Sequence, residues 1–177
     1  MKFPLRHCAL ALAVLLGAAP LAQAACNGID IAADTPDARF KDGAGGVADS
    51  ATGLVWKRCP EGLSGAACDS GTPVTGNWGE ALARVAAVNA AGATLGEGQS
   101  DWRLPNRNEL ASLVERKCTA PAINATVFPR TPAQSFWTAS PYSLNAGLAW
   151  YVDFNAGDVA AAPKTGARNI RLVRGGN

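Results

Sequence analysis

The sequence predicts an α+β fold, with two helices set apart from an antiparallel sheet. Three observations support this prediction: a glycine-rich turn within residues 39–49, two helix-capping sequences in the middle of the chain, and alternating apolar and polar side chains in residues 148–154. Strands and helices that occupy separate stretches of a chain in this way are typical of the α+β class.

The first third of the chain is predicted to form extended segments. Residues 39–49, RFKDGAGGVAD, predict a strand, a turn and the start of a second strand. Thr52 and Gly53 form a turn signal before an extended stretch over residues 54–57. Residues 60–76 are rich in Gly, Pro and Ser, which predicts a surface loop.

The first helix is predicted over residues 77–92. Asn77 is a favourable N-cap, and Glu80 stands three residues later, at the spacing of a capping box. Gly92 is the predicted stop at the C-terminal end. The residues predicted to face the core recur at helical spacing and are Trp78, Leu82, Val85 and Val88.

The segment DWRLPNRNEL, residues 101–110, predicts a joint between a short strand and a second helix. Pro105 disfavours helix at the residue before it, Asn106 caps a new helix, and Glu109 completes a second capping box. Arg103 requires a carboxylate partner when partly buried, and the candidates are Glu109 and the aspartate that opens the segment. The helix is predicted to run to about residue 117 with an apolar face of Leu110, Leu113 and Val114.

The remaining strands are predicted from residue 135 onward. Residues 148–154 and 159–163 predict a hairpin around the turn NAGD, with strands at residues 135–140 before it and 168–176 after it. In the first hairpin strand, alternation predicts two faces: Trp150, Val152 and Phe154 on one, Tyr151 and Asp153 on the other.

The first 24 residues are typical of a secretory signal peptide, which leaves residues 25–177 as the predicted mature domain. Lys2 and Arg6 precede a short apolar run, and small residues at 22 and 24 suit signal peptidase. This pattern predicts export in a bacterium, to the periplasm, the cell surface or the medium. No later segment is long and apolar enough to predict a membrane span.

Charge and histidine content exclude several function classes. The chain has 16 Lys and Arg against 14 Asp and Glu, and two of the basic residues lie in the signal peptide, so the predicted mature charge is zero. A neutral domain is unlike a nucleic-acid binder. The only histidine, His7, also lies in the signal peptide. Histidine-dependent catalysis and histidine-based zinc sites are therefore excluded, and we predict neither a metal nor a cofactor.

Four cysteines remain after residue 24, an even number that predicts disulfides in an exported chain. Three pairings are possible. Cys59 and Cys68 flank a short glycine-bearing loop and are predicted to pair, which leaves Cys26 with Cys118. A lipid anchor on Cys26 is the competing interpretation, although Gln23 stands where lipoprotein signals usually have leucine.

Seven segments in order resemble the Lcl C-terminal domain family, also called DUF1566, over about residues 39–176. The family in turn resembles the C-type-lectin-like fold of formylglycine-generating enzymes, through RLPNRNELA and the closing IRLVRG. The resemblance implies two helices, a twisted antiparallel sheet and long loops. Those enzymes act through cysteines late in the domain, and this chain has none after Cys118. The seven segments are TGLVWKRC, NWGEALARVAAVNAAG, DWRLPNRNELASLV, PAINATVFP, SFWTASPY, AWYVDFNAGDV and IRLVRGG.

The resemblance also implies a ligand surface on the C-terminal loops and strands, where tyrosine, asparagine and charge suit adaptable polar recognition. A basic patch of Lys164, Arg168 and Arg171 is an alternative. Four tryptophans are predicted to be core residues, namely Trp56, Trp78, Trp102 and Trp150. The predicted ligand-binding residues are Trp137, Ser140, Tyr142, Asn145, Tyr151, Asp153, Asn155, Lys164, Arg168 and Asn169.

These observations predict an exported, non-enzymatic binding module whose partner is a glycan or a surface protein. The adhesin that names the family binds sulfated glycans, which makes a sulfated glycan one expected ligand. Two other functions stay open at this point. One is a structural part of an envelope assembly, and the other is an enzyme of the formylglycine-generating type.

Overall fold

The computed structural model describes residues 24–27, 31–43 and 45–176. It has two α-helices, α1 (Trp78–Ala90) and α2 (Arg107–Ala111). The predicted signal peptide lies outside the described residues, apart from Ala24. Within the described ranges, neither helix has the length and hydropathy needed to cross a membrane.

The strands are short and come before, between and after the helices. A 3-10 turn, Asp37–Arg39, precedes the first hairpin. In chain order the strands are β1 (Ala25–Cys26), β2 (Phe40–Gly43), β3 (Gly46–Asp49), β4 (Val55–Trp56), β5 (Leu63–Ser64), β6 (Ser70–Gly71), β7 (Thr75–Gly76), β8 (Cys118–Thr119), β9 (Ser135–Pro141), β10 (Leu148–Asp153), β11 (Asp158–Pro163), β12 (Arg168–Asn169) and β13 (Val173–Arg174).

Two larger sheets organise the chain. One has the order β11-β10-β9-β12-β7, and the other has the order β13-β4-β3-β2. Most pairings are antiparallel, and the pairing of β12 with β9 is parallel. Sheets of mainly antiparallel strands with two separate helices confirm the predicted α+β class, and the predicted hairpins within residues 39–49 and 148–163 are both present.

The five-stranded sheet separates two apolar cores. Val152 and Phe154 point into one core, which also contains Leu110 of α2. Trp137 belongs to the other core, and Tyr151 packs against that core from the same face of the sheet. The alternation predicted for residues 150–154 is therefore confirmed, because successive side chains of a strand point to opposite faces.

Helix α1 confirms its predicted start and corrects its predicted face. The Asn77 side chain accepts from the Glu80 N–H and the Glu80 carboxylate accepts from the Asn77 N–H, which completes the capping box. Leu82 is 40% exposed, whereas Ala81 is fully buried. Ala81 and Val88 are buried, and Trp78 and Val85 are partly buried against the same core, so the stripe that faces the core follows positions 78, 81, 85 and 88. The helix ends at Ala90, before Gly92.

Helix α2 has the predicted cap but is much shorter than predicted. It ends at Ala111, and Ser112 closes its last turn with a hydroxyl that donates to the Glu109 carbonyl. The Val114 N–H then donates to the Ala111 carbonyl, as in a tighter turn. The predicted apolar residues Leu110, Leu113 and Val114 are all buried, so a helix to residue 117 was wrong but its core positions were right.

The joint before α2 rests on one ion pair. The Arg103 guanidinium donates to both Glu109 oxygens at 2.8 Å, and the same carboxylate accepts from the Asn106 N–H. Glu109, and not the aspartate that opens the segment, is therefore the partner of Arg103. Arg103 also forms a single bridge with Val173, which replaces the short strand predicted before Pro105.

Both predicted disulfides are present. Cys59 is bonded to Cys68, and Cys26 is bonded to Cys118 at a sequence separation of 92. The second bond ties β1 to β8, where the two cysteines are register partners. Because the sulfur of Cys26 is bonded to Cys118, this form of the chain has no free thiol at Cys26 for a lipid.

The segment that connects the two large sheets, residues 168–174, contains a fully buried cation. The Arg171 guanidinium donates to the carbonyls of Lys57 and Arg58 at 2.9 and 2.7 Å and to the Thr131 hydroxyl at 2.6 Å. Burial lowers the pKa of Arg171 to about 9. Arg171 is therefore a core residue, and it is not part of a surface patch with Lys164 and Arg168.

Removal of the Arg103 guanidinium should loosen the joint. We expect Arg103→Met to lower the free energy of unfolding by about 1–2 kcal/mol, because Glu109 loses a two-point partner that is only partly exposed. Urea denaturation measures the change. Arg116→Met is the matched control, since the Arg116 side chain is 73% exposed, and it should change stability much less. Equal effects of the two substitutions would contradict a structural role for Arg103.

Acid should weaken the attachment of the N-terminal segment. Burial of Glu115 opposes its ionisation, but hydrogen bonds from the N–H and hydroxyl of Thr35 and from the Asp34 N–H outweigh it and lower the pKa of Glu115. A folded-state pKa below the unfolded value of about 4.3 means that this stability is present above that value and is lost as pH falls through the folded pKa.

We therefore expect Glu115→Gln to be less stable than the unsubstituted chain at pH 7, with the difference in the free energy of unfolding shrinking below about pH 4. Urea titrations at pH 7, 5, 4 and 3 measure this difference. A difference that stays constant over this range would show that the ionised carboxylate contributes nothing specific.

Candidate functional site

A polar cleft of about 480 Å³ lies at one end of the five-stranded sheet. Its walls come from β7, the start of β9, the end of β10 and the beginning of β12. We call it the Arg168 cleft. It is lined by Thr75, Ala133, Gln134, Ser135, Asp153, Asn155, Ala167, Arg168 and Asn169. Its size falls within the range of about 300–1,000 Å³ that is usual for small-molecule sites.

The cation of the cleft, Arg168, lies over two aromatic rings. Its guanidinium carbon lies 4.4 Å from the centroid of the Trp137 ring and 4.3 Å from that of Tyr151. Gly166 makes room for it, because a Cβ at that position would lie 2.8 Å from Arg168 Nη1. The guanidinium is thus positioned against two neighbouring rings of the same face of the sheet.

The edge of the Arg168 guanidinium remains without a partner. Among the residues that the structure describes, none accepts a hydrogen bond from Arg168 and none forms an ion pair with it, and its Nε is buried. A buried donor without an acceptor costs about 1–3 kcal/mol. The clamp therefore holds donors ready for an acceptor that comes from outside the described chain.

Trp137 lies beneath the cleft instead of at its surface. Its side chain is fully buried, its indole N–H donates to the Gly76 carbonyl at 3.0 Å, and Arg168 covers its ring. The structure corrects its predicted surface placement, because β9 turns this residue toward the core under α1. In this conformation a ligand would meet Arg168 before it met the Trp137 ring.

Asn169 is also buried, with 2% exposure, and it leaves an acceptor open. Its Nδ2 donates to Gln134 Oε1 at 3.1 Å and to the Ser135 carbonyl at 3.3 Å. Its Oδ1 is buried and accepts no hydrogen bond from the described residues. Asn169 was predicted as a surface residue, and the structure makes it the floor of the cleft.

Asp153 and Asn155 lie on the turn side of the cleft. Asp153 Oδ1 accepts from the Asn155 N–H at 2.8 Å, and no described residue donates to its Oδ2. Asp153 also pairs in register with Ser135 on β9 and with Asp158 on β11. Tyr151, Asp153, Asn155, Arg168 and Asn169, five of the ten predicted ligand-binding residues, therefore lie in or beside one cleft.

Other predicted residues form a second group on the opposite face of the sheet. The Tyr142 and Trp150 rings pack edge to face with centroids 5.2 Å apart, and Arg107 lies over the Trp150 ring at 4.7 Å. The Ser140 hydroxyl accepts from the Arg107 N–H at 3.0 Å. Because Trp150 and Tyr151 point to opposite faces, this group cannot share a small ligand with the Arg168 cleft.

The last two predicted residues lie apart from both groups. Lys164 Nζ lies 4.2 Å from the centroid of the Trp78 ring, and the Lys164 carbonyl accepts from the Trp78 N–H. Asn145 is in the turn before β10, where its Oδ1 accepts from the Gly147 N–H. The predicted ligand residues therefore do not form one surface. Apart from those of the cleft, Ser140 and Tyr142 form one group, and Lys164 and Asn145 each lie separately.

The four tryptophans predicted as core residues differ in how deeply they are buried. Trp56 and Trp102 are buried, as predicted. Trp78 and Trp150 are only half-buried, and a cation covers part of each ring. The sequence patterns indicated the correct face for each ring. They did not indicate that each ring lies at the edge of the core, where it is only partly buried.

Two further cavities are present, and the first of them borders the cleft at Ala133. A groove of about 1040 Å³ runs between the N-terminal segment and the proline-rich loop at residues 121–133. A cavity of about 500 Å³ lies beside Lys57 and Arg84, which share the buried carboxylate of Glu61 at 2.7 and 2.8 Å. The described residues contain no cluster of His, Cys, Asp or Glu that could hold a metal ion.

Sequence reasoning missed the residues on β7 and at the start of β9 that complete the cleft. These are Thr75, Gln134 and Ser135. Gln134 is the partner of Asn169, and Ser135 is the register partner of Asp153. A signal for Ser135 was present, because pairing the predicted strand at 135–140 with the one at 148–154 brings it opposite Asp153 or a neighbour.

The fold and the cleft define a disulfide-bonded α+β domain with a preformed polar cleft. A comparison with known families then identifies it: the family model for the Lcl C-terminal domain matches residues 45–174. The chain belongs to the Lcl C-terminal domain family, as its seven motifs predicted. No curated protein matches the sequence.

The clamp predicts how tryptophan exposure changes when Arg168 is removed. We expect Arg168→Ala to uncover the Trp137 ring, since the guanidinium that lies over this ring is lost. Acrylamide quenching should show a larger accessible fraction of tryptophan fluorescence. Lys164→Ala uncovers part of the already half-buried Trp78 ring and should give a smaller increase. An unchanged quenching constant in Arg168→Ala would contradict the clamp.

Proposed function

We propose that this chain is an exported, non-enzymatic binding module that recognises a carbohydrate, or a protein ligand at the cell surface, in the Arg168 cleft. A glycan, sulfated or not, is the first candidate. The observation that carries the proposal is the guanidinium of Arg168, which lies over the rings of Trp137 and Tyr151 while its donors have no partner among the described residues.

A rigid donor edge in an open cleft is what ligand recognition requires. The two rings restrict the side chain before the ligand arrives, so less rotamer entropy is lost on binding. Asp153, Asn155 and Gln134 surround the edge with further polar groups. A small number of positioned polar groups in a preformed concave site is the usual architecture of a small-ligand site.

The cysteine pairing supports a non-enzymatic role over the formylglycine-generating alternative. That chemistry requires free thiols, and Cys26, Cys59, Cys68 and Cys118 are all consumed in two disulfides. The predicted mature chain also has no histidine to act as a general base. Binding, which needs neither group, is the function that the residues of the cleft support.

Two disulfides also support export, because such bonds persist in oxidising compartments such as the bacterial periplasm and the cell exterior. A C-type-lectin-like arrangement is part of the same proposal. It is supported by two helices, two mainly antiparallel sheets and long ordered loops, together with a disulfide that ties the N-terminal segment to the middle of the chain.

The proposal is tested by binding of purified residues 25–177 to an array of neutral and sulfated glycans, with heparin included. We expect saturable binding to at least one glycan, and we expect Arg168→Gln to weaken it at least tenfold. A loss of this size corresponds to one charge-assisted hydrogen bond of about 1.4 kcal/mol or more.

Arg116→Gln is the matched control for this test. Arg116 is exposed and lies outside the cleft, so its loss removes the same charge without changing the site. If the two substitutions weaken retention equally, binding depends on total charge and the cleft is not the site. Absence of saturable binding to every glycan on the array would remove the carbohydrate proposal.

A structural role in an envelope assembly is the second candidate, and the groove of about 1040 Å³ favours it. The groove has a larger volume than the Arg168 cleft, and it is lined by prolines at positions 36, 73, 121, 129 and 132. This alternative predicts that envelope association survives Arg168→Gln. Co-fractionation of the variant with the envelope, beside the unsubstituted chain, distinguishes the two candidates.

A further inference from the structure

The Arg168 cleft offers open groups of two opposite kinds. Arg168 contributes unpaired N–H donors, of which Nε is buried. Asn169 Oδ1 and Asp153 Oδ2 are acceptors to which no described residue donates, and Asn169 is 2% exposed. An unpaired buried group of either kind costs free energy until a partner arrives, so a matching ligand must supply both acceptors and donors.

Simple ions supply either hydrogen-bond acceptors or hydrogen-bond donors, but not both. Sulfate, carboxylate and phosphodiester groups are acceptors at neutral pH, so they satisfy Arg168 and leave Asp153 Oδ2 unpaired. An ammonium group has donors alone and would lie against the Arg168 cation. A hydroxyl group both donates and accepts, and adjacent hydroxyls on one ring present both functions side by side.

The charges of the cleft lead to the same chemistry. Its lining contains one cation, Arg168, and one carboxylate, Asp153, so its formal charge is zero. No ion pair joins Asp153 to any residue in the described ranges, so its charge is not cancelled locally. An anionic ligand that reached Arg168 would therefore also meet the field of Asp153, whereas an uncharged ligand would meet only dipoles and hydrogen-bonding groups.

We propose that the ligand of the Arg168 cleft is an uncharged sugar with at least two adjacent hydroxyl groups. This inference rests on the proposed binding function and restricts its ligand class. One hydroxyl accepts from the Arg168 edge, and a neighbouring hydroxyl donates to Asp153 Oδ2. The small side chains of Ala133 and Ala167 leave space in the cleft for the sugar ring.

The direction in which one substitution changes the affinity distinguishes this ligand class from an anionic one. Asp153→Asn removes the negative charge, and an Asn Oδ1 can still accept from the Asn155 N–H and keep the turn. A neutral sugar loses a charge-assisted hydrogen bond, so its affinity should fall about fivefold to twentyfold. A sulfated ligand loses a repulsion, so its affinity should rise.

Asp158→Asn is the matched control. Asp158 is the register partner of Asp153 on β11, is exposed, and does not line the cleft. It carries the same charge change a few ångströms away and should leave affinity for a neutral sugar unchanged. Circular dichroism and urea midpoints of both variants establish that each one is folded.

The probes are neutral hexoses and N-acetylhexosamines with adjacent free hydroxyls, their deoxy analogues that lack one of the two hydroxyls, and heparin oligosaccharides. Isothermal titration at low and high salt measures each affinity. We expect a neutral sugar to bind with little salt dependence, to lose at least fivefold when one hydroxyl is removed, and to weaken with Asp153→Asn but not with Asp158→Asn.

Two results would overturn the inference, and they differ in what they leave standing. If only sulfated probes bind, lose affinity with Arg168→Gln and gain it with Asp153→Asn, the cleft is a glycan site but the uncharged ligand class is wrong. If neither kind of probe binds the folded chain, the proposed carbohydrate function fails together with this inference.

Discussion

The buried guanidinium of Arg171 holds the two large sheets in one arrangement. It lies midway along residues 168–174, the segment that leaves the five-stranded sheet as β12 and enters the four-stranded sheet as β13. Its hydrogen bonds to two backbone carbonyls and the Thr131 hydroxyl replace water around the charge, and the Phe128 ring lies 5.0 Å away. A buried charge is tolerated only with such partners, so the path of this segment is strongly constrained.

That constraint determines where Arg168 lies. A segment anchored at residue 171 places β12 beside β9, and the Arg168 guanidinium then lies over the rings of Trp137 of β9 and Tyr151 of β10. The cation is therefore positioned by packing instead of by a carboxylate. This arrangement keeps its donors open, which is the physical basis of the proposed binding site. The same chain thus uses one late arginine to join its sheets and another to form its cleft.

Local features of this protein follow from short stretches of sequence. Asn77 and Asn106 each begin a helix because an amide oxygen satisfies an N–H group that the first helical turn leaves unpaired, and a glutamate three residues later returns the bond. The ion pair of Arg103 with Glu109 spans six positions and was one of two nearby choices. The disulfide pairing followed because one short loop used two of the four cysteines.

The sequence by itself therefore determined the α+β class, the starts of both helices, the faces of β10, the family and the cysteine pairs, since each depends on neighbouring residues or on counting. Only the tertiary structure decided whether each polar residue is buried or exposed. Alternation indicates the face of a strand but not what covers that face, so Trp137 and Asn169 were expected on the surface and Arg171 was not expected in the core. Burial depends on the strands that arrive from elsewhere in the chain, and here those are β7, β9 and β12.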